Sequence, residues 1–261
     1  MSINIPEIED AEVIFNIGYN GPASHPIVAR RIVRAKKKGC KIICVDPRKT
    51  ETARIADIYL PIKGGTNMLF LNAMAHVIVT SDLVDHDFIK AHTTGFEEYA
   101  AEISQKKYAP EAVSLATGLA AGDIRAAARL FASSKHTITL WGMGVTQFSQ
   151  GVECVIACSN LNLMTGNYGR HASGVGPVRG QNNVQGTCDM GLLPNNYPGY
   201  QPVADPQVRQ KFEKAWGRPL PSKPGMMLTQ VPHAVLEETD PAKKIHAYYI
   251  IGEDPAQSDP N

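Results

Sequence analysis

The sequence predicts an α/β protein: an open, doubly wound sheet of parallel strands, followed by an incomplete second α/β unit. Two observations carry this. Short apolar runs such as VIFNI (13–17) and HTITLWG (136–142) end in glycine corners that lead into helices. Those runs alternate with stretches of helical periodicity, the signature of strand–helix–strand units joined by parallel pairing.

The first run, residues 13–17, leads into Gly18-Tyr19-Asn20-Gly21-Pro22. A helix then follows from about Ser24, with Ser24 as its N-cap, Pro26 in its first turn and Gly39 at its end. Val28, Ile32 and Ala35 give that helix one apolar face. KIICV (41–45) is a second buried strand, closing in Asp46-Pro47-Arg48, and DIYLPI (57–62) is a short third. Gly64-Gly65-Thr66 open a helix over about 67–80, and residues 85–133 read as a series of helices. The strand at 136–142 meets Gly142-Met143-Gly144-Val145-Thr146-Gln147, followed by a helix over about 150–164. This is a Rossmann-like order of elements.

After Gly166 the texture changes. Residues 165–202 are rich in Gly, Asn and Pro and read as one long loop, the kind that carries function or crosses between domains. Residues 205–216 and 230–238 read as helices, and HAYYII (246–251) reads as a strand. The expected division is a first domain over about 1–175 and a remainder over 176–261. Without gaps, IGYNGPASHP (17–26) aligns with IGEDPAQSDP (251–260) at Ile, Gly, Ser and Pro. That suggests an internal repeat whose second helix is not reached, so a piece of a longer protein is expected.

Composition narrows the function classes. Of the 261 residues, 43% are hydrophobic and 20% charged, as in ordinary globular proteins, and no apolar run approaches the roughly 20 residues of a membrane span. A net charge of +1 gives no general pull toward nucleic acid or acidic membranes, so neither is an expected partner. The N-terminal stretch has no signal core, and the five Cys are scattered and odd in number. Both point to a reducing, cytoplasmic setting. No CxxC, HExxH, serine-nucleophile elbow or GxGxxG fingerprint occurs.

The candidate site is the carboxyl edge of the sheet. The Gly18 corner would aim backbone N–H groups and a helix N-terminus at a phosphate. Asp46 ends the second strand, where such folds place an acid on a ribose or purine, although it lies 28 residues after Gly18 rather than the usual ~20. Arg48 beside it suits a phosphate or a purine face. The other reading of Asp46-Pro47-Arg48 is a β-turn with a capping Asp. His25 and His171 are minor candidates, and His76 reads as a core histidine. GPVRGQNNVQG (176–186) sets Arg179 alone among two Gln, two Asn and three Gly. Such an arginine either holds a small oxyanion by two parallel hydrogen bonds or bridges two domains through backbone carbonyls.

MTGNYGRHASGVGPVRGQNNVQGTCDMG (164–191) closely resembles the signature of molybdopterin-dependent formate dehydrogenase catalytic (alpha) subunits. WGMGVTQFSQGVE (141–153), VDPRKTETARIAD (45–57) and GEDPAQSDP (252–260) resemble the same family in the same order, so the likeness spans essentially the whole chain. It implies domains 2 and 3 of the formate dehydrogenase/dimethyl sulfoxide reductase fold. It also implies a bis-molybdopterin guanine dinucleotide holding molybdenum or tungsten, with a [4Fe–4S] cluster in a preceding part. The implied reaction oxidises formate to carbon dioxide and passes electrons to partner subunits. Carried over residue by residue, Gly18, Asn20, Ser24, Asp46, Arg48, Gly65, Met143, Gly144, Gln147 and Gln181 are the implied cofactor contacts. Arg179 is the implied catalytic residue, orienting formate, and no metal ligand falls within this chain. One family member carries an acid before the serine of the first turn, where this chain has Ala23. The alternatives are another molybdopterin oxidoreductase, a non-catalytic scaffold of the respiratory complex I type, or a plain nicotinamide dehydrogenase.

Overall fold

A computed structural model describes residues 2–181, 183–241 and 243–258. The chain divides into two units, 1–181 and 182–261.

In the first unit a 3-10 helix (Ile5–Asp10) precedes β1 (Val13–Ile17), α1 (Gly21–Ser24), α2 (Pro26–Lys37), β2 (Lys41–Val45), α3 (Glu51–Ile55) and β3 (Ile58–Leu60). A helical stretch follows, α4 (Asn67–Thr80), α5 (His86–His92), α6 (Phe96–Ile103), α7 (Pro110–Thr117) and α8 (Ala121–Ala132). Then come β4 (Thr137–Trp141), α9 (Met143–Thr146), α10 (Gly151–Met164) and β5 (Gly174–Pro177). The sheet order is β3-β2-β1-β4-β5, and every pairing is parallel.

Both faces of this sheet are covered, which is why its strands read as unbroken apolar runs. Val13, Phe15 and Ile17 of β1 pack with α4, α8 and α10 in the larger core, where Phe15 meets Phe131 edge-on at 5.5 Å between ring centres. Ile14 points the other way, toward Ile32 and Ala35 of α2. The apolar stripe expected on α2 is therefore present, with Ala29 more deeply buried than Val28.

Three local expectations need correction. Ser24 does not cap α2. It ends α1, where its hydroxyl donates to the Asn20 carbonyl at 3.0 Å, and His25 takes the cap position at φ −140°. The cause is Pro26, whose ring excludes helical backbone from the residue before it. The long loop expected after Gly166 contains the fifth strand, β5, hidden because two glycines and a proline carry little strand propensity. Those glycines are required by packing: a side chain at Gly176 would begin 2.7 Å from Leu140 Cδ2, and one at Gly174 would meet the Ser2 hydroxyl. Ser2 pairs with Val175 in both directions, its N–H donating to the carbonyl and its Oγ accepting from the N–H, each at 2.8 Å.

The second unit holds α11 (Val184–Asp189), an antiparallel pair of β6 (Asn196–Tyr197) and β7 (Gln201–Pro202), α12 (Pro206–Trp216), α13 (Val231–Leu236) and α14 (Pro255–Ser258). Its core is small: Tyr197, Val203 and Phe212, with Tyr197 stacked on Phe212 at 4.7 Å. The third correction lies here. HAYYII is not a strand, and Tyr249 and Ile251 are largely exposed. It pairs with no described strand, and an isolated strand has no hydrogen-bond ladder to hold it. The turn after it nevertheless matches the first one. Gly18 and Gly252 both have positive φ, +55° and +68°, and each is followed by a four-residue helix starting three positions on. Positions 259 and 260 of the alignment lie outside the described residues.

At the amino edge of the main sheet Asp85 joins three segments. It caps α5 by accepting from Phe88 N–H at 3.0 Å, pairs with Lys135 at 2.7 Å, and faces Arg170 at 3.7 Å. The Lys135 ammonium, helped by the Phe88 N–H and opposed by burial, holds its carboxyl below the usual carboxylate range. A depressed native value stabilises the fold above the unfolded value of ~4 and is lost as pH falls through the native one. Asp85→Ala should therefore cost about 1–2 kcal/mol in urea melts at neutral pH. The gap to wild type should narrow as pH drops below about 4; a gap independent of pH would contradict this account.

Candidate functional site

The carboxyl ends of all five strands of the first unit meet one cleft of about 480 Å³. Gly18 follows β1, Asp46 follows β2, Gly64 follows β3, Gly142 follows β4 and Val178 follows β5, and each lines it. The sheet reverses its winding between β1 and β4, and ligands of open α/β sheets settle at such a point.

The floor of the cleft is backbone on backbone. Gly144 N–H donates to the Gly18 carbonyl at 3.1 Å, and a side chain on Gly18 would begin 2.6 Å from the Gly144 carbonyl carbon. Asn67, in the first turn of α4, donates its side-chain N–H to the Gly144 carbonyl at 3.1 Å. Asn16, fully buried in β1, donates to the Tyr19 carbonyl at 2.9 Å and fixes the first corner from beneath. Both glycine corners are thus rigidly seated.

Three polar atoms near this floor are buried without a hydrogen-bond partner: Asn16 Oδ1, the Tyr19 hydroxyl and Asn20 Oδ1. Burial pushes the Tyr19 hydroxyl up from its ordinary value, so it stays protonated. Asp46 is buried, and its Oδ1 accepts from the Arg48 N–H at 2.8 Å. The capping turn is therefore real, and it also holds the carboxylate at the cleft wall. Burial disfavours the thiolate at two core cysteines: it pushes Cys44 up to about 12, and Cys158 also rises. Among the described residues no three His, Cys, Asp or Glu side chains gather as a metal site.

Of the residues singled out in the sequence, Gly18, Asn20, Ser24, Asp46, Arg48, Met143, Gly144, Arg179 and Gln181 all line this cleft. Gly65 and Gln147 do not; their neighbours Gly64 and Phe148 do. Gln147 instead closes α9, its N–H donating to the Met143 carbonyl at 2.9 Å. His25 lines the cleft beside Ser24, 2.9 Å from its hydroxyl. His171 lies elsewhere, its Nε2 3.1 Å from Asp10 Oδ2, so it has no place at the site. His76 is half-buried rather than in the core, with its ring nitrogen 2.8 Å from the Ile103 carbonyl. Asn182 of the amide-rich stretch lies outside the described residues. Sequence reasoning missed Tyr19, Asn67 and Phe148. The signal for Asn67 was its place just after Gly64-Gly65-Thr66, a polar residue opening an otherwise apolar helix.

The family model described as molybdopterin oxidoreductase matches residues 1–261. This chain belongs to the molybdopterin oxidoreductase family. It is 50% identical over 260 residues to formate dehydrogenase H of Escherichia coli, covering 99% of this chain and 35% of that protein. It is 45% identical over 261 residues to the F420-dependent formate dehydrogenase 1 subunit alpha of Methanococcus maripaludis, covering all of this chain and 37% of that one. The chain thus spans about a third of the length of these relatives. Among solved structures, acetylene hydratase from Pelobacter acetylenicus superimposes with a TM-score of 0.60 at 27% identity, over 66% of this chain and 25% of that one. The parallel sheet is therefore that of a molybdopterin oxidoreductase.

The glycine corners make a sharp prediction. A side chain at Gly144 would begin 2.7 Å from Gly18 Cα, and the obstacle is backbone, which cannot rotate away. Gly144→Ala should cost about 1–3 kcal/mol, lowering the melting temperature by several degrees. Gly64 lines the same cleft, but an added methyl there meets nothing within 4 Å. Gly64→Ala should leave stability within about 0.5 kcal/mol. Equal melting temperatures for the two variants would mean that the corners are not in contact.

Proposed function

We propose that this chain is the central part of a formate dehydrogenase catalytic subunit, and that the cleft of its first unit seats the guanine dinucleotide end of a molybdopterin cofactor. The carrying observation is the convergence of nine of the eleven expected site residues on one cleft, in a chain half identical to formate dehydrogenase H. The donor set fits such a group. Asn20 Oδ1 and the Tyr19 hydroxyl are polar atoms that the protein leaves unpaired, which a ligand rich in N–H and O–H groups would suit.

In this reading the Gly18 corner and the first turn of α4 receive the diphosphate, whose charge the positive end of the α4 dipole favours. Asp46 accepts from the ribose or the guanine edge, and Arg48, Ser24, Met143, Gly144 and Gln181 complete the wall. Gly65 and Gln147, displaced from the cleft lining, have the weakest place in this set. The bound cofactor supplies the molybdenum or tungsten centre that takes two electrons from formate; the second half of the cofactor cage, the [4Fe–4S] cluster and the electron-accepting subunits belong to the remainder of a longer polypeptide and its complex. Arg179 at the rim presents a planar fork of donors to the two oxygens of formate. It fixes the substrate so that the C–H bond alone is left to react, and formate leaves as carbon dioxide after losing two electrons and one proton. Among the described residues no helix is long and apolar enough to cross a membrane.

In the full-length subunit Arg179→Ala should lower kcat/KM for formate by about a hundredfold, the scale of a lost orienting contact. Molybdenum or tungsten content per polypeptide should stay unchanged, and Arg179→Lys should restore only part of the loss. Asp46→Ala should instead deplete the bound pterin. The isolated 261-residue chain should reduce no dye with formate. Full cofactor occupancy in Asp46→Ala would remove the nucleotide reading. Unaltered formate kinetics in Arg179→Ala would point to a different substrate within the family.

A further inference from the structure

Arg179 sits on a short span between two anchors. On one side, where β5 ends, Val178 N–H donates to the Trp141 carbonyl at 2.8 Å. On the other, Gly180 lies against the end of the Met143 side chain: a methyl built on Gly180 would fall 2.8 Å from the Met143 sulfur and 2.9 Å from its terminal methyl. Only a hydrogen fits at position 180 while that thioether stays where it is.

Met143 is held through its neighbouring backbone, while the residue remains 40% exposed. It opens α9, and the next residue, Gly144, is pinned to Gly18 through its N–H and to Asn67 through its carbonyl. The thioether therefore extends from beside a corner pinned by two hydrogen bonds to the loop of the candidate substrate-binding arginine. Methionine suits this task, since an unbranched, polarisable side chain fills an irregular gap against a bare backbone. Both Met143 and Gly180 line the cleft.

We propose that Met143 is a positioning residue: its thioether, seated on Gly180, fixes where Arg179 presents its guanidinium to the substrate carboxylate. This rests on the formate reading above and adds to it a residue that acts through Arg179. Met143→Ala empties the seat and frees the loop. Gly180→Ala keeps the methionine but displaces its end. Met143→Leu retains most of the volume.

The test uses the full-length enzyme with two readouts. The first is trypsin cleavage after Arg179, followed by mass spectrometry, which reports loop opening without reference to activity. The second is formate kinetics. Met143→Ala should speed that cleavage, and both Met143→Ala and Gly180→Ala should raise KM for formate by about tenfold with a smaller change in kcat. Met143→Leu should restore slow cleavage, and because Met143 also lines the cofactor cleft the kinetics are expressed per bound metal. In an Arg179→Ala background, Met143→Ala should add nothing further. Full additivity there, unchanged cleavage in Met143→Ala, or cleavage in Met143→Leu as fast as in Met143→Ala would overturn the proposal. If Met143→Ala fails to fold, Gly180→Ala decides by its KM. If Arg179→Ala alone leaves formate kinetics intact, the substrate reading fails; faster cleavage in Met143→Ala would then still show that the methionine seats the loop, and unchanged cleavage would end that as well.

Discussion

The candidate site depends on one backbone contact, the meeting of Gly18 and Gly144 where the sheet reverses its winding. β1 and β4 are adjacent and parallel, so their carboxyl ends emerge side by side. Corners carrying side chains would have to splay there, because a Cβ on either glycine enters the other's main chain. With hydrogens only, the corners touch, and the Gly144 N–H closes the gap on the Gly18 carbonyl. The cleft above then has a floor made of peptide groups. Such a floor carries directional dipoles and no flexible side chains, which suits close approach by a phosphate or a flat ring system.

The remaining features of the cleft can be understood as ways of holding that contact still. Asn16 grips the first corner from inside the sheet, at the expense of leaving its own Oδ1 unpaired in the core. Asn67 grips the second from α4. These are buried amides acting on main-chain carbonyls, and each costs desolvation that an apolar residue would not.

The architecture was legible where chemistry and periodicity agree. β1, β2 and β4 announced themselves as apolar runs because parallel strands are buried on both faces, and α2, α4 and α10 followed from their spacing and corners. β5 was not legible, since Gly174-Val175-Gly176-Pro177 is chosen for thinness against Leu140 and Ser2 rather than for strand propensity. HAYYII failed in the opposite sense: its composition is that of a strand, but pairing is a property of neighbours, and it pairs with no described strand. At the cleft, Gly18, Gly144, Asp46 and Arg179 were singled out by residue type and strand position, and all of them fall on its lining. Tyr19 and Asn67 were not, because an aromatic in a corner and an amide in a helix have many ordinary explanations until the coordinates show which carbonyl or orphaned hydroxyl they bring to the cleft.

The same thinness that hid β5 bears on how the loop around Arg179 is held. An edge strand of ordinary residues would stand off from Leu140 and carry the chain past position 177 farther from the sheet. Gly176 lets β5 pack down on Leu140, which keeps Val178 within hydrogen-bonding reach of the Trp141 carbonyl. Gly180 repeats the device two residues beyond, against Met143. Each glycine removes a side chain from the loop so that another element can hold its backbone, and between the two holds lies one residue with a long charged side chain. Restraint from outside leaves the inner surface clear, and this is the physical sense of an amide- and glycine-rich stretch surrounding a single guanidinium.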